Sequence, residues 1–268
     1  MPPDTNRRRF LGLAAAMGVL PVAGCDQDAV NAEITATLDS AETLTRAAQR
    51  LFISRTSLAP EFTEADIAPS FRPNGSVSPR EHGYKAFAKN KFADWKLRVE
   101  GLVEKPLDLS LADLRAMPAR TQITRHDCVE GWSAIGKWTG APLAPILDLA
   151  KPANTAKYVV FHCFDAPDYD SGDDDGSELS SDLKPDLYYE SIDLIDARHP
   201  QTILAYELNG APLPVSNGAP LRVRVERQLG YKMAKYIKSV ELVADYSKIA
   251  GGNGGFWEDR GYEWYAGI

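Results

Sequence analysis

The sequence predicts a mixed α/β (α+β) fold in a single domain. Strand-like apolar runs recur at 95–101, 158–164, 221–225 and 236–243. Short helical signals and long loops lie between them, and no internal repeat or obvious linker divides the chain.

In chain order, 32–53 reads as a helix. Leu38, Ala41, Leu44, Ala48, Leu51 and Phe52 share a face, with Asp39, Glu42, Thr45 and Gln49 elsewhere. Pro60, Pro69, Pro73, the Asn74-Gly75 pair and Pro79 break the next stretch into turns. Trp95 to Gly101 alternates polar and apolar residues and predicts a strand ending in a turn. Ser110 opens a short helix that Pro118 ends. Tyr158 to Phe164 predicts a buried strand, followed by an acidic, solvated loop from Asp165 to Asp182. Leu221 to Val225 alternates strictly and predicts a half-buried strand, and Tyr236 to Val243 predicts another. The glycines of 251–255 suit a loop or a close backbone approach. The tail from Phe256 to Ile268 holds too many aromatics to float free, so it is expected to pack on the body.

Composition narrows the function. The chain has 268 residues and a formal net charge of −7, which argues against a nucleic-acid-binding body because phosphate neutralisation needs a basic surface. Its three cysteines, Cys25, Cys128 and Cys163, are too few for a disulfide framework. The first segment is an address. Asn6-Arg7-Arg8-Arg9-Phe10-Leu11 precedes a weakly apolar run to Val22, too short to span a bilayer. The arginine pair followed by Phe-Leu resembles a twin-arginine export signal. Val22-Ala23-Gly24-Cys25 resembles a lipobox, whose cysteine becomes a lipidated anchor, although a plain small-residue cleavage site fits the same residues.

Two features carry chemistry. Cys128 sits among polar groups in Arg125-His126-Asp127-Cys128-Val129-Glu130, where a thiolate can serve as nucleophile, redox thiol or soft-metal ligand. A buried, inert cysteine fits as well. Between Arg222 and Lys238 the cations Arg222, Arg224, Arg227, Lys232, Lys235 and Lys238 face only Glu226. In an acidic protein that is a local positive patch suited to a phosphate or pyrophosphate, or else the solvated face of a strand. Pairing Cys128 with His126, His162 and Cys163 fits no common zinc spacing, and His162 and Cys163 are expected as satisfied core residues.

From Phe71 to Ile268 the chain resembles the sulfite oxidase family of molybdopterin enzymes. It is most similar to the bacterial periplasmic branch that includes molybdenum methionine sulfoxide reductases. The stretches that carry the likeness are Trp95 to Pro106 (WKLRVEGLVEKP), Arg125 to Trp132 (RHDCVEGW), Trp138 to Leu143 (WTGAPL) and Tyr189 to Asp193 (YESID). His199 to Gly210, Asn217 to Arg222 (NGAPLR) and Gly230 to Val240 (GYKMAKYIKSV) follow in the family's order. The resemblance implies one Mo-molybdopterin per chain, with Cys128 as the metal's protein ligand. It implies cofactor contacts from Asn74, Cys163, Asn217, Arg222, Met233, Ala234 and Lys235, the last three at the phosphate end. Catalytic roles would fall to Cys128, Glu130 and Tyr188.

The implied organisation is a signal segment over 1–24, an N-terminal linker and helix over 25–70, and a molybdopterin-binding oxidoreductase domain over 71–268. Sulfite oxidases hold their dianion with arginines at two places where this chain has Pro73 and Ser133, which points away from sulfite toward a small or protein-bound oxo substrate such as a sulfoxide. The chain has no CxxCH haem motif, so electrons are expected from a separate haem or quinone-linked partner. The expected location is the periplasm, at a membrane face through Cys25 and reached by the twin-arginine machinery. Three alternatives stand beside this reading: sulfite dehydrogenase-type oxidation, a metal-free binding lipoprotein, and a thiol-redox lipoprotein using Cys128 and Cys163.

Overall fold

The computed structural model describes residues 41, 43–170 and 186–268. By contact density the chain divides into two compact units, Met1–Ala47 and Ala48–Ile268, and the second holds everything described below. The export signal, Cys25, residues 32–40 of the predicted first helix and residues 171–185 of the acidic loop lie outside the described residues. No described helix is long and apolar enough to cross a membrane.

Among the described residues two five-stranded sheets form. The elements in order are helix α1 (His82–Lys89), strands β1 (Lys96–Gly101) and β2 (Leu107–Ser110), helix α2 (Leu111–Ala116), strands β3 (Arg120–Cys128) and β4 (Trp132–Pro142), and helix α3 (Leu143–Ala150). Strands β5 (Tyr158–Cys163), β6 (Tyr189–Asp193), β7 (Ile203–Leu208), β8 (Ala211–Pro212), β9 (Arg222–Arg224) and β10 (Ile237–Val243) follow. The first sheet runs β2-β1-β10-β5-β6, and the second runs β3-β4-β7-β8 with β9 also on β7.

The pairing of β1 with β10 is parallel, with Arg98 opposite Ser239, so the two ends of the chain's body meet in one sheet. In β1 the alternation turns Leu97 and Val99 inward and Lys96 and Arg98 to solvent. Each such burial contributes about 1.5–3 kcal/mol. These side chains join Trp95, Leu147, Phe161, Val223, Tyr236 and Val240 in the main core. A smaller core of Phe71, Trp138, Ile203, Ala205, Leu208 and Leu213 lies on the second sheet. The helix at Ser110 starts as expected. The Ser110 hydroxyl accepts from Asp113 N at 3.1 Å, and the Asp113 carboxylate accepts from Ser110 N at 2.8 Å, a reciprocal cap. The tail packs on the body through Phe256, Trp264 and Ala266, all buried.

Four expectations are corrected. The 221–225 strand is buried on both faces, because Arg224 is ion-paired inside with Glu226 and Arg222 bonds backbone carbonyls. The basic run is therefore not one patch. Lys232 is enclosed by Glu190 and Glu258, Arg227 pairs with Asp196, and only Arg222 and Lys235 of the buried cations lack a carboxylate ion pair among the described residues. His162 is a half-exposed strand residue bound to Glu241 at 2.8 Å rather than a core side chain. The start of the acidic loop, Asp165 and Asp170, is buried rather than solvated, since Asp165 accepts from Ser76 Oγ and Asp170 from the Ala166 and Arg80 amides.

Candidate active site around Cys128

Strands β3 and β4 form a hairpin whose register runs from Arg120 opposite Gly140 to Cys128 opposite Trp132. The tip closes through Gly131 N donating to Cys128 O at 3.0 Å, with Gly131 at φ +85°. That conformation favours glycine. The turn leaves the Cys128 thiol half-buried at the end of a rigid ladder. Burial, its largest influence, raises the thiol above its ordinary value, and the Glu130 backbone hydrogen bond opposes this.

Cys128 lines a cavity of about 200 Å³. Of the residues the sequence put forward, Asn74, Glu130, Tyr188, Met233, Ala234 and Lys235 line it too. Glu130 ties the hairpin tip to the Asn74 segment: its Oε1 accepts from Gly75 N at 3.3 Å and its Oε2 from Trp132 Nε1 at 3.0 Å. Lys235 Nζ donates to Asn74 O at 2.5 Å, to Ser76 O, and to Ser216 O at 3.3 Å. Burial is the main cause that pulls Lys235 down to about 7, with Arg222 adding to it and Asp165 opposing it. Gly218, at φ +112°, lets the 216–219 turn pass Lys235; a Cβ there would lie 2.9 Å from the lysine's own.

Arg222 and Asn217 sit just behind the cavity wall. Arg222 is fully buried; its Nη1 donates to Asn217 O at 3.1 Å and its Nη2 to Met233 O at 3.4 Å. Burial, then Arg224, pulls it down to about 9. The Tyr188 hydroxyl donates to Tyr231 O, and its ring stacks on Phe256 at 5.5 Å. Burial holds this phenol well above its ordinary range, so it stays neutral. Cys163 is placed elsewhere. It lies on β5 in a neighbouring cavity with His162, Tyr189 and Lys238, and shares only Tyr188 with the Cys128 cavity. Burial holds its thiol well above the usual range.

A support sits beneath the cysteine. His126, two residues earlier, is fully buried with its ring 5.9 Å from Phe71 and 5.5 Å from Trp132. Arg224 Nη1 lies 3.0 Å from His126 Nδ1. Because arginine only donates, Nδ1 accepts and the hydrogen is on Nε2. Burial, then Arg224, holds this imidazole well below its usual value and neutral.

Sequence reasoning missed several of the cavity's residues. Asp165 is buried with Oδ2 accepting from Ser76 Oγ at 2.7 Å, and burial pushes it up to about 6. Gly230, Tyr231, Trp257 and Tyr262 also line the cavity, and Gly230 lets the 230–235 loop approach His126. Nothing in spacing or composition announces these contacts, apart from the expectation that the aromatic tail packs.

The fit of a pterin cofactor can be tested on polar atoms left over. Asn74 Oδ1, Asn217 Nδ2 and Arg222 Nε are buried without a hydrogen-bond partner. Leaving such atoms unpaired costs about 1–3 kcal/mol each. One ligand presenting both donor and acceptor edges and carrying negative charge answers all three, as well as the two cations Arg222 and Lys235. The Cys128 thiol, a soft ligand once deprotonated on a metal, lines the same cavity. The residues fit a molybdopterin.

Comparison with known proteins agrees. Residues 82–249 match the family described as the oxidoreductase molybdopterin binding domain. The chain is 34% identical over 265 residues to a putative protein-methionine-sulfoxide reductase subunit of Azospira oryzae, covering 97% of this chain and 87% of that protein. It is 35% identical over 247 residues to the protein-methionine-sulfoxide reductase catalytic subunit of Xanthomonas campestris pv. campestris, covering 91% and 72%. Among solved structures, the sulfane dehydrogenase of Paracoccus pantotrophus aligns with a TM-score of 0.46 at 20% identity, over 57% of this chain and 39% of that one. With the cysteine cavity and its unpaired donors in place, the chain belongs to the oxidoreductase molybdopterin-binding family, and it is an enzyme of that family.

Proposed function

We propose that the chain is an exported sulfoxide reductase, acting on a small or protein-bound sulfoxide and taking its electrons from a separate haem- or quinone-linked carrier. The balanced reaction is sulfoxide plus two electrons and two protons giving sulfide and water. When bound, the molybdenum held by the pterin supplies two-electron oxygen-atom transfer chemistry. Cys128 would be the metal's protein ligand, since a soft thiolate suits it. Asn74, Asn217 and Arg222 would hold the pterin edge. Met233, Ala234 and Lys235 would hold the phosphate end, where Lys235 trades one of its carbonyl partners for the anion. Glu130 fixes the hairpin tip against the Asn74 segment. Tyr188, neutral and tied to Tyr231, shapes the wall rather than moving a proton.

The observation that carries the substrate assignment is the charge at the mouth. Arg72, a surface cation that acts on Cys128 through its charge, is 68% exposed and pairs with Glu130 at 3.9 Å. With Arg222 and Lys235 engaged by the cofactor, a dianion would meet the Glu130 carboxylate with no further unpaired buried cation among the described residues to offset it. A neutral sulfoxide meets no such penalty.

The arginine pair at 7–8 and Cys25 support a twin-arginine route to the periplasm and lipid anchoring at its membrane face. The experiment is molybdenum per protein by elemental mass spectrometry on exported enzyme and on Cys128→Ser, with turnover of methionine sulfoxide and of sulfite measured beside it. About one metal in the parent, its loss or an altered Mo(V) spectrum in the variant, and turnover of the sulfoxide are expected. Sulfite as the only substrate would overturn the assignment.

A further inference from the structure

We propose that the C-terminal strap supplies a rigid aromatic wall, Trp257 with Tyr262, that grips the methylsulfinyl end of a methionine sulfoxide side chain beside Cys128; this rests on the sulfoxide reading above. Both residues line the Cys128 cavity together with Val129, which is 43% exposed on the hairpin tip. Their centroids lie 5.4 Å apart, and Tyr262 stands 5.3 Å from Tyr231. Tyr262 is 41% exposed, so the wall reaches from the interior to the surface, where a side chain on another protein can enter.

The strap is held on both sides of Trp257. Phe256 is buried, with the Arg260 guanidinium 3.6 Å from its ring centroid. Glu258 is buried against Lys232, which also binds Glu190 on β6. Tyr262 N donates to Trp257 O at 3.0 Å. A wall so fixed loses little freedom when a ligand arrives. Its chemistry suits a neutral group that is part apolar and part polarizable. Sulfur and methyl groups pack favourably on aromatic rings.

The test uses the metal-loaded enzyme with Trp257→Leu, Tyr262→Ala and, as a control, Leu149→Ala on the exposed face of α3. Titration with a methionine-sulfoxide peptide is followed by tryptophan fluorescence and by kinetics. Expected are a ligand-dependent change in emission that is lost in Trp257→Leu, and a KM raised about tenfold in both wall variants. The fall in kcat should be smaller than the rise in KM, and metal content should match the parent. The control should keep both constants. An unchanged KM in both variants, or no Trp257-dependent emission change, overturns the wall. A parent that binds the peptide through Trp257 but turns over no sulfoxide leaves the wall standing and overturns the reaction assigned to it.

Discussion

Replacing Glu226 with Gln isolates one buried charge pair that supports the site. Arg224 and Glu226 are both fully buried, joined by Nε to Oε1 at 2.9 Å and Nη2 to Oε2 at 2.7 Å. Glu226 Oε1 also accepts from Gln122 Nε2 at 2.8 Å. The substitution keeps the shape but leaves the guanidinium without its counter-charge in the interior. Losing one partner of a buried pair costs about 3–5 kcal/mol. The Trp138 ring, 4.5 Å from the guanidinium, and the remaining amide oxygen offset part of that and place the cost near the lower end. At about 2–4 °C per kcal/mol for a body of this size, the melting temperature should fall by roughly 6–12 °C. Glu100→Gln breaks an exposed pair of similar geometry, with Arg98 58% and Glu100 39% exposed at 2.6 Å, and should cost at most about 1 kcal/mol. Thermal and urea unfolding followed by circular dichroism, with metal content matched, compares the two. Joint replacement by Arg224→Met and Glu226→Leu should recover most of the loss, because it removes the stranded charge. A Glu226→Gln cost no larger than that of Glu100→Gln would refute the reasoning.

Gly230→Ala should destabilise by about 1–3 kcal/mol, because its Cβ would fall 2.4 Å from His126 Cε1 and 2.5 Å from Nε2 in a ring held by Phe71, Trp132 and Arg224; a melting temperature within error of the parent would contradict the tight approach. Asp165 is raised from 3.8 to about 6, so its contribution is fully present below 3.8 and is lost as pH rises to about 6. The loss approaches about 3 kcal/mol, and Asp165→Asn should flatten that part of a stability profile of the cofactor-free protein. Lys235, lowered to about 7, is mostly neutral above that pH in the free protein, whereas a phosphate beside it favours the ammonium. Cofactor loading at pH 8 should then take up a proton and weaken as pH rises further; calorimetry in two buffers of different ionisation enthalpy measures the uptake, and zero uptake would count against Lys235 at the phosphate end.

The parts of the fold legible in the sequence are those whose inside is apolar. Strands β1, β5 and β10 place Leu97, Val99, Val160, Phe161, Val240 and Leu242 inward, and their patterns announce it. The β3–β4 hairpin, which carries the cysteine, stayed hidden. The inward positions of β3 are Gln122, Thr124 and His126, so its alternation reads as polar throughout. Strand β6 buries Glu190 and Ser191 for the same reason. Strand β9 was legible as a strand and misjudged in its burial, because a side chain's charge does not reveal a counter-charge two residues on or a carbonyl from a distant turn. At the site, Cys128 stood out by its polar neighbours and Arg222 and Lys235 by the basic run they belong to, while Asn74 and Asn217 came only through likeness to a known family. Asp165, Trp257 and Tyr262 are brought to the cavity by contacts spanning the whole chain, which no local pattern encodes.

What unites the polar interior is where its positive charge is left uncompensated. Arg224 has Glu226, Lys232 has Glu190 and Glu258, and Arg227 has Asp196. Arg222 and Lys235, by contrast, have backbone carbonyls and an aromatic ring each but no carboxylate ion pair among the described residues, and burial lowers both. A fold that neutralises its other inner cations has no stability reason to leave these two without a carboxylate in and beside one cavity, since burying a cationic group without a counter-charge costs free energy or, as at Lys235, its proton. Their arrangement makes sense as preorganisation for an anion: the protein bears the desolvation during folding, and the ligand's negative charge then meets donors already oriented and dry. Cofactor binding should accordingly stabilise the body by more than its buried area accounts for, and the excess should fall in Arg222→Met and Lys235→Met but not when exposed cations such as Arg98 are removed.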